Sequence, residues 1–455
     1  MATKQGLWAR AEQMAMLAPP ERNRYVDFLR AFSILAVVVG HWLVAAPYIK
    51  DGVVEGGHLL GILPWTQWLT WGFQVMPLFF LVGGFSNGVS WAANRRNGGT
   101  YAAWFTGRLL RLVSPVLPLF LIWTLFAFFG TMMGVERKIV ALAAQLALIP
   151  VWFLSVYLMV AAVVPLTHAA WTRFGMGSFA ALVTGAVLVD IAALYFGVPF
   201  INFVNFAFIW LAVHQLGYAW SEGYFAKASF AGNRAMVWGI TGFAALALLI
   251  GFGPYPVAMI GVPGEPLSNS MPPTLALLAL GIAQMGLALT LEPAARRMLD
   301  NARIWTGVVL LNGMIMTVYL WHLTAFVLIM VAAWLLGGIG LELAPGSSAW
   351  WLSRPVWFAL YIAALLPMIM IFARYEQLPR GAGLPEKGDV PHWRLIAALL
   401  LICAGLGATA AISIASPMGV TGVRLWIVIL PFIGAGLVRF GPAYKLTKRF
   451  RVRTR

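Results

Sequence analysis

The sequence predicts an all-α, polytopic transmembrane helical bundle of about twelve spans. Three observations carry this. Of 455 residues, 61% are hydrophobic and only 10% are charged, whereas soluble domains carry about 25% charged residues. The apolar residues gather in stretches long enough to cross ~30 Å of hydrocarbon, about 20 residues each. The basic residues alternate between successive loops, as they do in multi-pass proteins.

The apolar stretches lie near residues 28–47, 67–91, 112–133, 141–170, 178–197, 200–220, 236–253, 273–291, 306–337, 355–373, 395–415 and 423–440. The fourth is long and contains Pro150, which predicts a kink or a break, because proline removes a backbone donor and clashes with the preceding turn. The ninth is also long, which fits a tilted helix. With the N-terminus placed in the cytoplasm, 26 of the 31 Lys and Arg fall on the inner side. Lys50, Arg137, Lys138, Arg354 and Arg424 fall outside. A missed or extra span would scramble that alternation downstream, so both ends are expected in the cytoplasm of a plasma or inner membrane. The outer loops 253–273 and 337–354 are rich in Gly and Pro, and the second carries Trp350 and Trp351, residues suited to a membrane interface.

Several function classes are excluded at this level. The net charge of +16 is explained by the inner loops, and no basic soluble domain exists to bind nucleic acid. The single cysteine, Cys403, lies in an apolar stretch, so neither an internal disulfide nor a cysteine metal site is possible. The segment before Tyr25 carries Lys4, Arg10, Arg22 and Arg24 around a short apolar patch at 14–18; it lacks the apolar core of a signal peptide, and no cleavage is expected. No metal-ligand spacing and no Walker-type glycine loop appears. Gly84-Phe-Ser86-Asn-Gly88 matches the serine-hydrolase elbow pattern, but that elbow needs a strand-to-helix turn, and here it falls in a membrane helix. The same glycines have the Gly-x-x-x-Gly spacing that favours close helix packing.

An ionisable group inside a span is costly, so each is a functional candidate. Arg30 and His41 are eleven residues apart in the first span. On a helix they lie about 20° apart around the axis and about 16 Å apart along it. Asp27, one turn before Arg30, can pair with it. Arg30 at the inner mouth can hold a phosphate bidentately, and His41, deeper on the same stripe, can act as a general base on an acceptor hydroxyl. This geometry fits a group-transfer enzyme using a cytoplasmic donor. The alternative is a histidine bonded to a neighbouring helix and an arginine anchoring the interface.

The stretch Arg24-Tyr-Val-Asp27-Phe-Leu-Arg30-Ala followed by His41 resembles the opening of the acyltransferase-3 family of membrane O-acyltransferases, which shows Arg, ten residues, then His in its first helix. Met76-Pro-Leu-Phe-Phe80-Leu-Val-Gly-Gly-Phe85 resembles the second-helix stretch of that family. Arg108-Leu-Leu-Arg111-Leu with Pro115 resembles its basic third-helix entry, and Trp152-Phe-Leu154 and Tyr319-Leu-Trp-His322 resemble two further signatures, all in family order. The resemblance implies transfer of an acyl group, commonly acetyl from acetyl-CoA, to a hydroxyl of a carbohydrate, glycan or lipid-linked glycan. It implies His41 as the essential catalytic residue, Arg30 as its partner in the donor path, and a ten-helix core. Two departures stand out. Gly83-Gly84 replaces the usual Ser-Gly, which removes any role of that serine hydroxyl, and two spans follow the core.

The expected organisation is a cytoplasmic segment 1–24, an acyltransferase-3-like membrane domain 25–374, a linker and two additional helices 375–440, and a basic tail 441–455. The tail fits anionic inner-leaflet lipid. Arg108 and Arg111, one turn apart, are candidates for the CoA phosphates, with Arg95 and Arg96 assisting; the alternative is ordinary inside-positive topology. His322, Tyr319 and Trp152 are candidates for lining a substrate cavity, against packing roles. His214, Gln215, Asn202 and Asn205 fit either a polar tunnel or interhelical hydrogen bonds. Asp190 is the one acid well inside a span. A transporter or lipid flippase is the first rival, disfavoured by the scarcity of intramembrane acids for ion coupling and by the lack of an internal repeat. A polyprenyl-linked glycosyltransferase is the second, disfavoured by the lack of an acidic cluster. A purely structural membrane partner is the third, and the ordered motifs argue against it.

Overall fold

A computed structural model describes residues 6–19, 22–226, 228–229, 232–376, 390–416 and 421–438. Lys4, Lys227, Arg380, Lys387 and the basic tail lie outside the described residues.

Among the described residues the longer helices, in order, are α1 Leu7–Met16, α2 Arg24–Val44, α3 Met76–Arg96, α4 Tyr101–Val113, α5 Val116–Met132, α6 Arg137–Leu148, α7 Val151–Ala162, α8 Val164–Phe174, α9 Met176–Leu194, α10 Asn205–Ser221, α11 Arg234–Phe252, α12 Leu275–Leu299, α13 Ala302–Asn312, α14 Ile315–Leu335, α15 Ser348–Phe372, α16 His392–Ile412 and α17 Leu425–Leu437. The sheet among the described residues is two short antiparallel hairpins, Tyr48–Lys50 with Val53–Glu55 and Ala228–Ser229 with Gly232–Asn233. Among the described residues, ten segments are long and apolar enough to cross a membrane. The remaining two predicted spans are helical but shorter: α10 has 17 residues behind a 3-10 turn, and α17 has 13. The protein is a polytopic helical membrane protein.

Several helix starts follow capping chemistry. Asn23 accepts from the Tyr25 and Val26 amides, Thr100 from Ala103, Asn233 from Ala235 and Met236, and Asn301 from Arg303 and Ile304. Each satisfies donors the first turn leaves unpaired. The break at Pro150 separates α6 from α7 as predicted, and a second break at Val163 starts α8. The expected tilted ninth helix is instead two helices, α13 and α14, interrupted at Gly313 and Met314. That break exposes the N-terminus of α14, and Glu376 fills it. The Glu376 carboxylate accepts from the Met316 amide at 3.0 Å, the Thr317 amide at 3.1 Å and the Thr317 hydroxyl at 3.1 Å. Burial pushes its carboxyl above the usual carboxylate range, while these three hydrogen bonds pull it back.

The chain divides into two compact units. One comprises residues 1–91, 163–315 and 333–356, and the other 92–162, 316–332 and 357–455. In the first, α3 and α10 meet backbone to backbone. A Cβ on Gly84 would collide with the His214 carbonyl oxygen, one on Gly217 would lie 2.5 Å from the Phe85 nitrogen, and one on Gly88 would lie 2.7 Å from the Tyr218 ring. The Gly-x-x-x-Gly pair is therefore a packing device inside a continuous helix. In the second unit, α16 is bound to α7 by a reciprocal pair: the Ser155 hydroxyl donates to the Cys403 carbonyl at 3.1 Å and the Cys403 thiol to the Ser155 carbonyl at 3.5 Å.

Asp190 forms a structural knot in the first unit. It accepts from the Asn205 amide at 2.7 Å, the Tyr255 hydroxyl at 2.8 Å and the Leu275 backbone N–H at 2.9 Å. Asp190→Ala strands three donors, two of them on buried residues, and should destabilise the protein by about 3 kcal/mol or more. Thermal unfolding of the purified protein checks this. Transfer per folded molecule should stay near wild type, because Asp190 holds helix ends and bonds none of Arg30, His41, Arg108, Arg111, Trp152, Tyr319 or His322.

Candidate functional site

The N-terminal end of α2 is held from several sides. The Tyr25 hydroxyl donates to the Ala288 carbonyl at 2.5 Å, and Arg24 donates to the Leu299 carbonyl at 3.1 Å. The Asn312 amide donates to the Asp27 carbonyl at 2.9 Å, tying α13 to the same turn. Arg22 and Arg24 lie over the Trp305 ring, where a cation gains from the ring's negative face.

In this collar the Asp27 carboxylate is buried and bridges two arginines. Its Oδ2 accepts from Arg22 Nε at 2.6 Å and its Oδ1 from Arg30 Nη1 at 3.1 Å. The pairing of Asp27 with Arg30 expected from their spacing is present. Arg30 Nη2 also donates to the Ser86 hydroxyl of α3 at 3.0 Å. Gly83-Gly84 carries no hydroxyl, and the serine three residues on from Gly83 is the one that meets the arginine. Two arginines against one carboxylate leave one net positive charge, and the Arg30 side chain remains 30% exposed.

His41 lies on the same unbroken helix, about 16 Å along the axis from Arg30 and about 20° around it. Both are half-buried. Phe32 and Leu35, at 47% and 44% exposure, mark the open side of α2. They lie about 200° and 140° around the helix from Arg30. His41 therefore lies on the side of the helix away from these exposed residues.

The other candidates take varied positions. On α4, Arg108 lies 4.1 Å over the Trp104 ring and Arg111 is exposed one turn on. Tyr319 is buried, its hydroxyl donates to the Pro150 carbonyl at 2.8 Å, and its ring packs on Phe153. It thereby seals the break that proline makes. His322 is fully buried, and its Nδ1 bonds the Tyr319 carbonyl at 2.6 Å. A carbonyl only accepts, so Nδ1 carries the proton. Trp152 is half-buried against Phe153. His214 bonds the Asn87 amide at 3.1 Å, and Gln215 donates to the Thr167 carbonyl at 3.0 Å, so both knit helices together. Two apolar grooves, of about 460 and 300 Å³, flank the contact of α11 with α12. No acidic, basic or histidine side chain lines either, and neither fits the chemistry.

Ser86 and Asn312 are the site residues that the sequence left unassigned. A signal for Ser86 existed. It lies about 200° around the helix from both Gly84 and Gly88, so when the glycine face meets one helix the serine must meet another.

A family model described as an acyltransferase domain matches residues 23–374. The chain belongs to the acyltransferase-3 family. No curated protein and no solved structure matches it. The matched range begins at Asn23, the cap of α2, and ends at Arg374, two residues before Glu376, so it spans Arg30, His41, Arg108, Arg111, Tyr319 and His322. As a member of this family the protein is a multi-pass membrane acyltransferase, which implies an acyl donor and an acceptor.

Proposed function

We propose that this acyltransferase-3 protein moves an acetyl group from acetyl-CoA to a hydroxyl of a carbohydrate, glycan or glycolipid, in the plasma or inner membrane with both termini cytoplasmic. The observation that supports this best is the single helix α2. An arginine anchored by Asp27 and Ser86 stands at one end, and a half-buried imidazole stands on the same face about 16 Å away. That separation suits a donor whose phosphates and thioester sit at opposite ends of a long arm.

In this reading Arg30 holds a donor phosphate, and Arg108 and Arg111 of α4 are basic residues proposed to bind CoA phosphates. His41 takes the proton of the acceptor hydroxyl as its oxygen attacks the thioester carbonyl. The carbon–sulfur bond breaks, and the thiolate leaves with that proton as free CoA. The alternative for His41 is to carry the acyl group itself and pass it to the hydroxyl in a second step. His322, Tyr319 and Trp152 form or support the wall of the substrate path. No metal is needed for either route, so activity should survive a chelator.

Two measurements test the proposal. Purified protein in liposomes with envelope acceptors should release free CoA from acetyl-CoA, read by a thiol reagent. Mass spectrometry of envelope glycans and lipids, with and without the protein, should differ by one acetyl group. A transporter or flippase would release no CoA. Transfer of a longer acyl chain would overturn the choice of donor but keep the reaction class.

A further inference from the structure

We propose that Ser86 is a positioning residue for Arg30: its hydroxyl sets the plane of the guanidinium so that the remaining N–H groups address a phosphate oxyanion of the donor. This deepens the reading of Arg30 as a donor-binding group and rests on it.

A guanidinium is planar with five N–H donors. In Arg30 one hydrogen on Nη1 goes to Asp27 and one on Nη2 goes to Ser86. Among the described residues the other three have no protein acceptor, and the group is 30% exposed. Asp27 alone fixes the plane poorly. It sits on the same helix one turn away, so the guanidinium can pivot about that single contact, and its second oxygen is engaged by Arg22. Ser86 arrives on α3, a separate helix held against α10 by Gly84 and Gly217. Two anchors on two nitrogens from two helices define a plane; one does not. Removing the hydroxyl changes no charge, so the pair Asp27 and Ser86 separates into an electrostatic partner and a geometric one. Bidentate recognition of phosphate depends on the geometry.

The test uses the full chain in lipid nanodiscs, with CoA itself as the probe. Ser86→Ala should weaken CoA binding about tenfold, the scale of one hydrogen bond to a charged group. Ser86→Thr, which keeps the hydroxyl, should restore it. Arg30→Gln should weaken binding further, and adding Ser86→Ala to Arg30→Gln should change nothing more, because the serine acts through the arginine. A packing role would instead give the same loss in both backgrounds, with a lowered melting temperature in the absence of CoA. Unchanged binding in Ser86→Ala, alongside weakened binding in Arg30→Gln, overturns the positioning role alone. Unchanged binding in Arg30→Gln overturns both the positioning role and the donor-site reading.

Discussion

His41→Ala should lower acyl transfer by about a hundredfold to ten-thousandfold, the contribution of a general acid–base group, while the protein still inserts and folds. Alanine is the strongest helix former, and α2 keeps its buried Leu29, Ile34, Val38 and Trp42. The helix and its collar at Tyr25 and Asp27 are therefore expected to persist, and CoA affinity should stay within a few fold. Free CoA release in liposomes measures the loss, and a size-exclusion profile confirms the fold. Labelled acetyl-CoA without acceptor separates the two routes. Label retained on wild-type protein and absent from His41→Ala indicates an acyl-histidine, and no label on either indicates general-base catalysis. Full activity of His41→Ala on a verified acceptor would end the proposed role.

Gly84→Leu should remove both stability and activity. A single Cβ at this position already collides with the His214 carbonyl oxygen, and the reciprocal contact at Gly217 means neither helix can yield locally. Overpacking costs about 1–3 kcal/mol where side chains can adjust; here backbone meets backbone, so α3 and α10 must separate. The displacement also carries Ser86 away from Arg30 and Asn87 away from His214. Expected results are sharply reduced yield of folded protein and, in what folds, weakened CoA binding. Leucine at Val89, on the exposed side of α3, is the control and should behave as wild type. A Gly84→Leu protein with native melting and native CoA affinity would contradict the contact.

The sequence disclosed the membrane class because hydrophobic stretches and loop charge are one-dimensional properties. It placed Arg30, His41 and Asp27 together because eleven and three residues along one helix determine an angle. What it could not disclose were partners from elsewhere in the chain. Ser86 reaches Arg30 across 56 positions, Asn312 reaches Asp27 across 285, and Glu376 caps α14 across about 60. No periodicity encodes such meetings. The division of the ninth stretch at Gly313 escaped for a related reason. Hydropathy continues through the break, and the carboxylate that satisfies it lies beyond the next helix.

The knot at Asp190 bears on how the chain is made. Asn205 follows it by 15 residues, but Tyr255 and Leu275 follow by 65 and 85. At roughly 5–20 residues per second, the ribosome delivers the last of these partners several seconds or more after the acid has left the exit tunnel. During that interval a carboxylate in a nascent membrane segment holds only one of its three eventual contacts. The three contacts cannot all form before residue 275 is made, so a pause in synthesis between residues 205 and 275 would delay completion of the knot.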